Sequence, residues 1–293
     1  MTLSIAHLGP PGTYTEQAAF FYVNWLNKTQ GVEAILCPYP TIAQSLQAVA
    51  VDQAQLAVVP MENSIEGSVS MTMDALWQLD SLQIQLALVM PIVHTLISCA
   101  ASLDRIETVY SHPQALAQCQ GWLEQFLPTV QLIPRNSTTE ALQGLEQEVT
   151  TAAISSSRAA QLYSLPILAS GINDYPENST RFWVISQNQH QAQAAHYISS
   201  TSTSHTSLAL SVPANVPGAL LQILQVFAQL GINLSRIESR PTKRSLGEYL
   251  FFIDAEADLT APQMQSALPE LEAYTEVLKI FGSYNVLPVS PQE

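Results

Sequence analysis

The chain is 293 residues long and 47% hydrophobic, with 10 basic against 24 acidic residues and a formal net charge of -14. A chain of this length and apolar content buries a full core in about two domains, and so acidic a balance offers no basic surface to a phosphate backbone or an anionic membrane. Nucleic acid and membrane are therefore not expected partners, and three scattered cysteines, Cys37, Cys99 and Cys119, fit neither a disulfide framework nor a zinc site.

Residues 1–7 have no basic n-region followed by an apolar stretch, so they read as a short strand, and the expected location is the cytoplasm. That strand meets Gly9-Pro10-Pro11-Gly12-Thr13, and a helix follows to about Asn27. Thr13 with Glu16 fits a capping box, in which hydroxyl and carboxylate satisfy the free N–H groups of the first turn. A helix N-terminus at a strand's carboxyl end is also an anion site that needs no Lys or Arg, although the same residues make an ordinary turn. Strand Glu33–Cys37, helix Thr41–Val51 and strand Leu56–Val59 continue a βαβα rhythm, which implies a mainly parallel sheet. The last of these strands runs into Pro60-Met61-Glu62-Asn63-Ser64-Ile65-Glu66-Gly67, a polar loop offering an acceptor, an amide and a hydroxyl to one small ligand, followed by a helix through Leu79.

The most apolar window, Ile84 to Ile97, is broken by Gln85, Pro91 and His94 and is too short to span a bilayer. Strand Leu82–Met90 is expected to open a second lobe, with strands near Thr108–Tyr110, Gln131–Ile133, Ala152–Ile154 and Pro166–Ala169 and helices at Pro113–Phe126, Thr138–Glu148 and Ser157–Leu162. Its first strand-to-helix turn carries Ser111, which is also a good N-cap, and Gln118 shares a helical face with Gln114. The chain then reaches Asn178-Ser179-Thr180-Arg181-Phe182 and a strand, Phe182–Ser186, expected to cross back to the first lobe. Two lobes joined by two crossing strands leave a cleft, with Thr13, Asn63, Ser111 and Thr180 expected along it.

Residues 187–206 are rich in Gln, Ala, Ser and Thr and read as a linker. Beyond them the pattern βαββαβ, about 75 residues long, is the ferredoxin-like arrangement. Its first helix opens at Pro217-Gly218-Ala219-Leu220, and Glu238-Ser239-Arg240-Pro241 ends the strand that begins near Asn233. Glu238 and Arg240 fall on one strand face and would pair at the surface if they have no other role.

Gly9–Thr13, Pro60–Gly67, Ser111–Cys119, Asn178–Phe182 and Glu238–Pro241, in this order, resemble the motifs of a prephenate dehydratase with a C-terminal ACT regulatory domain. The resemblance implies an α/β architecture: a two-lobed catalytic region at 1–186 shaped like a periplasmic binding protein (lobe one about 1–80 plus 180–186, lobe two about 82–178), then an ACT domain at 207–283. It implies conversion of prephenate to phenylpyruvate in phenylalanine biosynthesis, with arogenate as the alternative substrate, no cofactor or metal, L-phenylalanine as effector, and a homodimer or homotetramer. A non-catalytic amino-acid sensor on the same scaffold is the reading from another class. Thr180 is then the catalytic threonine, orienting the leaving hydroxyl or relaying a proton, and Glu62 is the formal acid if burial raises its pKa. Thr13, Asn63, Ser64, Ser111, Gln118 and Phe182 would position substrate. Arg181 either contacts a substrate carboxylate or braces the lobes. Gly218, Ala219, Leu220, Asn233, Glu238, Ser239, Arg240 and Pro241 would form the phenylalanine site between two ACT domains.

Overall fold

The computed structural model describes residues 2–187 and 204–290; residues 188–203 of the expected linker lie outside them. In the first lobe β1 (Leu3–Leu8), α1 (Tyr14–Gln30), β2 (Ala34–Tyr39), α2 (Ile42–Ala50), β3 (Leu56–Asn63), a short β4 (Gly67–Ser68), α3 (Ser70–Gln78) and β5 (Leu82–Pro91) follow the expected alternation. Thr13 caps α1 by accepting from the Glu16 amide, while the Glu16 carboxylate reaches back to the Gly12 amide at 3.3 Å rather than to Thr13 itself. The capping box is thus displaced by one residue, which leaves Glu16 free to accept from Arg158 of the second lobe at 2.9 Å.

The second lobe holds β6 (Thr95–Ile97), β7 (Thr108–Ser111), α4 (Pro113–Ala117), α5 (Gln120–Phe126), β8 (Gln131–Pro134), β9 (Thr151–Ser155), α6 (Ser157–Leu162) and β10 (Ile167–Ser170), its sheet running β10-β6-β9-β7-β8. The single helix expected at Pro113–Phe126 is broken at Gln118 and Cys119. Asp174 causes the break: its amide donates to the Gln118 carbonyl at 2.9 Å, and its carboxylate caps α5 by accepting from the Gly121 and Trp122 amides at 2.9 and 3.0 Å. The helix expected at Thr138–Glu148 is instead two 3-10 turns, Glu140–Leu142 and Leu145–Gln147, separated by Gly144 at a φ of 85°. β11 (Ser179–Gln187) returns to the first lobe between β3 and β5, antiparallel to both.

The C-terminal domain adds β12 (His205–Ser211), α7 (Ala219–Gln229), β13 (Leu234–Pro241), β14 (Tyr249–Ala255), α8 (Pro262–Tyr274) and β15 (Val277–Pro288) in the ferredoxin-like order β13-β14-β12-β15. Two expectations change here. β5 belongs to the first sheet, not to the second lobe, and β15 runs well past the expected Ile280, so that Asn285–Pro288 pair in parallel with Leu86–Val89 of β5. The two sheets are therefore one ten-stranded sheet, β13-β14-β12-β15-β5-β11-β3-β1-β2, with β4 on the side of β3. One face of the C-terminal domain's sheet packs α7 and α8 through Leu208, Ile223, Phe227, Ile253 and Leu271, while Ala209, Phe252 and Phe281 on the other join Met73, Leu76 and Trp183 of the first lobe in one buried cluster.

Candidate active site

A cavity of about 900 Å³ opens between the two lobes. Leu8, Ile42, Pro60, Ile92 and Phe182 give it an apolar wall, Thr13, Tyr14, Asn63, His94, Gln118 and Thr180 a polar one, and the loop Asn136–Glu140 closes the side of the second lobe. Among the described residues no Lys or Arg lines it. A ligand bearing carboxylates would meet hydroxyls, amides and imidazoles here, and the Glu140 side chain at the rim, rather than a lysine or arginine.

The register of β3 against β11 decides which motif residues reach the cavity. Thr180 lies opposite Asn63, and Arg181 opposite Glu62. Successive side chains on a strand point to opposite faces, so Asn63 and Thr180 face the cavity while Glu62 and Arg181 face away from it. Neither Glu62 nor Arg181 lines the cavity. Arg181 Nη1 instead sits 3.6 Å from Asp254 Oδ2 and 3.9 Å from Glu62 Oε2. The substrate-contact role expected of Arg181 is thereby corrected: it braces the sheet of the first lobe against the C-terminal domain. The acid role of Glu62 is corrected too, because its side chain is 32% exposed and pairs with that guanidinium.

On the cavity side the polar groups form one chain of hydrogen bonds. Asn63 Oδ1 accepts from the Ile65 and Glu66 amides at 3.0 and 3.1 Å, which fixes its Nδ2 as the donor to Asn178 Oδ1 at 2.8 Å and to Thr180 Oγ1 at 2.9 Å. Thr180 thus receives a hydrogen bond from Asn63, and its own hydrogen has no acceptor among the described residues. Gln118 Oε1 accepts from Asn178 Nδ2 and His94 Nε2, both at 2.9 Å, and its Nε2 donates to Glu66 Oε1 at 3.3 Å. Tyr14 Oη, from the first turn of α1, is 2.7 Å from His94 Nδ1. Burial holds the His94 imidazole below its ordinary pKa and pushes the Tyr14 phenol well above its own, so both are neutral near pH 7. Cys119, next to Gln118, is an inert core thiol, its pKa pushed up to about 12 by burial.

Five expected residues, Thr13, Asn63, Gln118, Thr180 and Phe182, line the cavity. Ser64 does not: its hydroxyl donates to Asn178 Oδ1 at 3.3 Å and accepts from the Ser179 amide at 3.0 Å, tying the two strand ends together. Ser111 is fully buried, donates to the Ile154 carbonyl at 2.6 Å and does not reach the cavity. Tyr14, His94, Asn178 and Ser137–Thr139 were not singled out. Asn178 sits in the same motif as Thr180, and Tyr14 adjoins the capping residue, so both had a local signal. His94 was legible only as an interruption of an apolar run.

In the ACT domain Gly218 heads α7 at a φ of 87°, followed by Ala219 and Leu220 in the first turn. Asn233 Nδ2 donates to Glu256 Oε2 at 2.8 Å. Ser239 and Pro241 lie on the exposed face of β13, and Glu238 and Arg240 on the opposite face. The surface pair considered for Glu238 and Arg240 does not form, because Arg240 Nη2 reaches Asp74 Oδ2 of α3 at 3.1 Å. Lys243 joins the same carboxylate at 2.7 Å, and Lys279 Nζ caps the end of α3 by donating to the Leu76 and Trp77 carbonyls at 2.8 and 3.0 Å. Burial alone would raise the Asp74 carboxyl, but Lys243 and Arg240 together hold it below the usual carboxylate range.

Comparison with known proteins adds the following. The family model described as prephenate dehydratase matches residues 5–190, and the ACT domain model matches residues 206–273. A bifunctional chorismate mutase/prephenate dehydratase of Aquifex aeolicus is 39% identical over 282 residues, covering 96% of this chain and 73% of that protein. The crystal structure of a prephenate dehydratase from Arthrobacter aurescens in complex with L-Phe superposes with a TM-score of 0.83 at 33% identity, over 97% of this chain and 90% of that one. A structure described as a novel type of quorum quenching acylase superposes with a TM-score of 0.79 at 27% identity, over 99% of both chains.

Proposed function

The chain belongs to the prephenate dehydratase family and is a lyase by that membership; from that premise we propose how its cleft carries out the decarboxylating dehydration of prephenate. The reaction takes a dianion and one proton to phenylpyruvate, carbon dioxide and water. The C–C bond to the ring carboxylate breaks, its electron pair enters the ring, and the ring C–O bond breaks as hydroxide leaves and is protonated. Because aromatisation drives the change, the site has two tasks: to hold the dianion and to stabilise charge on the departing oxygen.

The observation that carries the reading is the Asn63–Thr180 hydrogen bond at the cavity wall. By accepting from Asn63, Thr180 keeps its hydrogen for the cavity, aimed at the leaving hydroxyl. A threonine hydroxyl is too weak an acid to surrender that proton outright, so its role is orientation and hydrogen bonding as charge develops, with solvent supplying the net proton. Gln118 and Asn178 keep Asn63 in the donating orientation. The hydroxyls of Ser137–Thr139 and backbone N–H groups receive the carboxylates, Thr13 holds the turn beside them by donating to the Leu8 carbonyl at 3.2 Å, and Phe182 with the apolar wall excludes water from the ring. Purified protein should release phenylpyruvate from prephenate. No phenylpyruvate from folded protein, or amide hydrolysis of acylated substrates in its place, would defeat the reading. The same assay with arogenate decides which of the two substrates is preferred.

The protein is read as cytoplasmic; among the described residues no helix is long and apolar enough to cross a membrane. The ACT domain is read as the seat of feedback inhibition by L-phenylalanine, with Gly218–Leu220 and Glu238–Pro241 meeting a second ACT domain in a homodimer or homotetramer. Linkage requires that phenylalanine bind the less active arrangement better, and that substrate weaken its binding in return. Gly218→Val places a β-branched residue at positive φ. Calorimetric titration of phenylalanine into the intact variant should show binding lost while basal turnover stays within about threefold. Binding retained by this variant would move the effector elsewhere.

A further inference from the structure

The polar chain along the cavity fixes one proton position that no motif reveals. Two independent anchors orient the Gln118 amide. From one side, the Ile65 and Glu66 amides make Asn63 Oδ1 an acceptor, so Asn63 Nδ2 donates to Asn178 Oδ1 and Asn178 Nδ2 to Gln118 Oε1. From the other, Gln118 Nε2 faces the Glu66 carboxylate, which only accepts. Gln118 Oε1 therefore faces His94 Nε2 as an acceptor, and that ring nitrogen must carry hydrogen. The neutral imidazole then has a bare Nδ1, and Tyr14 Oη, 2.7 Å away, gives its single hydrogen to that nitrogen rather than to the Val93 carbonyl at 3.1 Å. The His94 backbone is pinned as well, its amide donating to Asn173 Oδ1 at 2.7 Å, while Asn173 Nδ2 donates to the Ile92 carbonyl at 2.8 Å. His94 is 2% exposed and Tyr14 belongs to the first lobe, whereas Gln118 belongs to the second.

We propose that His94 is a positioning residue of the dehydration: as the Nε2–H tautomer, held by Tyr14 across the cleft, it adds a third hold on Gln118 and so steadies Asn178 against the Asn63 amide that donates to Thr180. A ring of the other tautomer would oppose two lone pairs, at Nε2 and Gln118 Oε1. Relief would require pulling Gln118 away from the ring or turning it against the Glu66 carboxylate, and either would loosen the Asn178–Asn63 pair beside the Thr180 hydroxyl. The contact also places the His94 ring between Tyr14 of one lobe and Gln118 of the other, so it ties the two lobes together beside the catalytic hydroxyl.

The test has a part that needs no substrate, so its failure is separable from failure of the dehydratase reading on which the kinetic part rests. In the wild-type protein labelled with 15N at its six histidine rings, the His94 signal, assigned by its loss in His94→Gln, is expected to show a pyrrole-type Nε2 and a pyridine-type Nδ1 near pH 7. His94→Gln keeps an N–H near the Nε2 position and is expected to hold kcat within about threefold of wild type, whereas His94→Ala lowers kcat by roughly 10–100-fold with little change in KM. A pyrrole-type Nδ1 overturns the proposal, as does wild-type kcat in His94→Ala or equal loss in both variants. If His94→Ala does not fold, the ring signal of the wild type and the kcat of His94→Gln decide the matter.

Discussion

The two faces of one strand pair divide the labour of this protein. On the cavity face of β3 and β11, Asn63 and Thr180 present an amide and a hydroxyl, and no Lys or Arg is near them among the residues that line the space. One residue earlier on β3 and one later on β11, the other face presents Glu62 and Arg181, and the guanidinium lies between the Glu62 carboxylate and Asp254 of the ACT domain. Asp254 is fully buried and also takes Arg236 at 2.8 Å. Arg236, Arg240, Lys243 and Lys279 of the ACT domain and Arg181 of the catalytic sheet all lie at this junction, so five of the ten cations of an acidic chain serve the joint between domains. The site that must bind a dianion is left with neutral donors. A neutral site can hold an anion by N–H and O–H groups without the desolvation that a buried guanidinium costs, whereas a joint that must keep register benefits from directional ion pairs.

The comparison is broken most severely from the cavity face. Thr180→Val keeps the shape but removes the hydroxyl, and kcat should fall by about 10²–10⁴, with the melting temperature nearly unchanged. Stopped-assay turnover beside a thermal scan checks both halves of that statement. The converse change on the other face is Asp254→Asn, which strips the buried Arg236 and the half-buried Arg181 of their shared carboxylate. Stability should drop by about 3–5 kcal/mol in denaturant unfolding, the usual cost of uncompensating a buried charge, while kcat below the transition stays within about fivefold. A variant that loses turnover without losing stability would mean that the two faces are not separable.

A smaller effect sharpens the same line. Asp74 titrates below its unfolded value because Arg240 and Lys243 pair with it. A carboxyl with a depressed folded pKa contributes stability that is fully present above its unfolded pKa and is lost as pH falls through the folded one. The difference in melting temperature between wild type and Asp74→Asn should therefore be visible near neutral pH and shrink progressively as pH falls below the ordinary carboxylate range. A difference that stayed constant across that window would place the effect in packing rather than charge.

How much of this was legible in the residues follows from the range of each signal. Strand and helix periods, the Thr13–Glu16 cap and the βαββαβ rhythm act over a few residues, and the expected elements appear where those signals are strong. Thr180 and Asn63 reach the cavity because strand ends face it, and Gln118 because the helix Pro113–Ala117 ends there. Arg181 was grouped with Thr180 by adjacency in sequence, although the period-two alternation of a strand already argued that neighbours part company. The remaining features join residues that sequence does not relate. Asp174 breaks the helix at Gln118, Lys279 caps α3 from about two hundred residues away, and Asn285–Pro288 fuse two sheets at β5. That fusion also shows that the catalytic region without the ACT domain would bare the edge of β5 and the apolar surface around Met73 and Trp183.

Steady-state kinetics of Arg181→Met on prephenate test the central division most directly. Methionine keeps the length and apolar stem of the side chain, and Asp254 keeps Arg236. If the cavity binds its dianion with neutral donors and Arg181 serves only the joint, kcat and KM both remain within about threefold of wild type at temperatures below the variant's unfolding. A folded Arg181→Met protein whose KM for prephenate rises by about a hundredfold would put the guanidinium on the substrate and contradict the account.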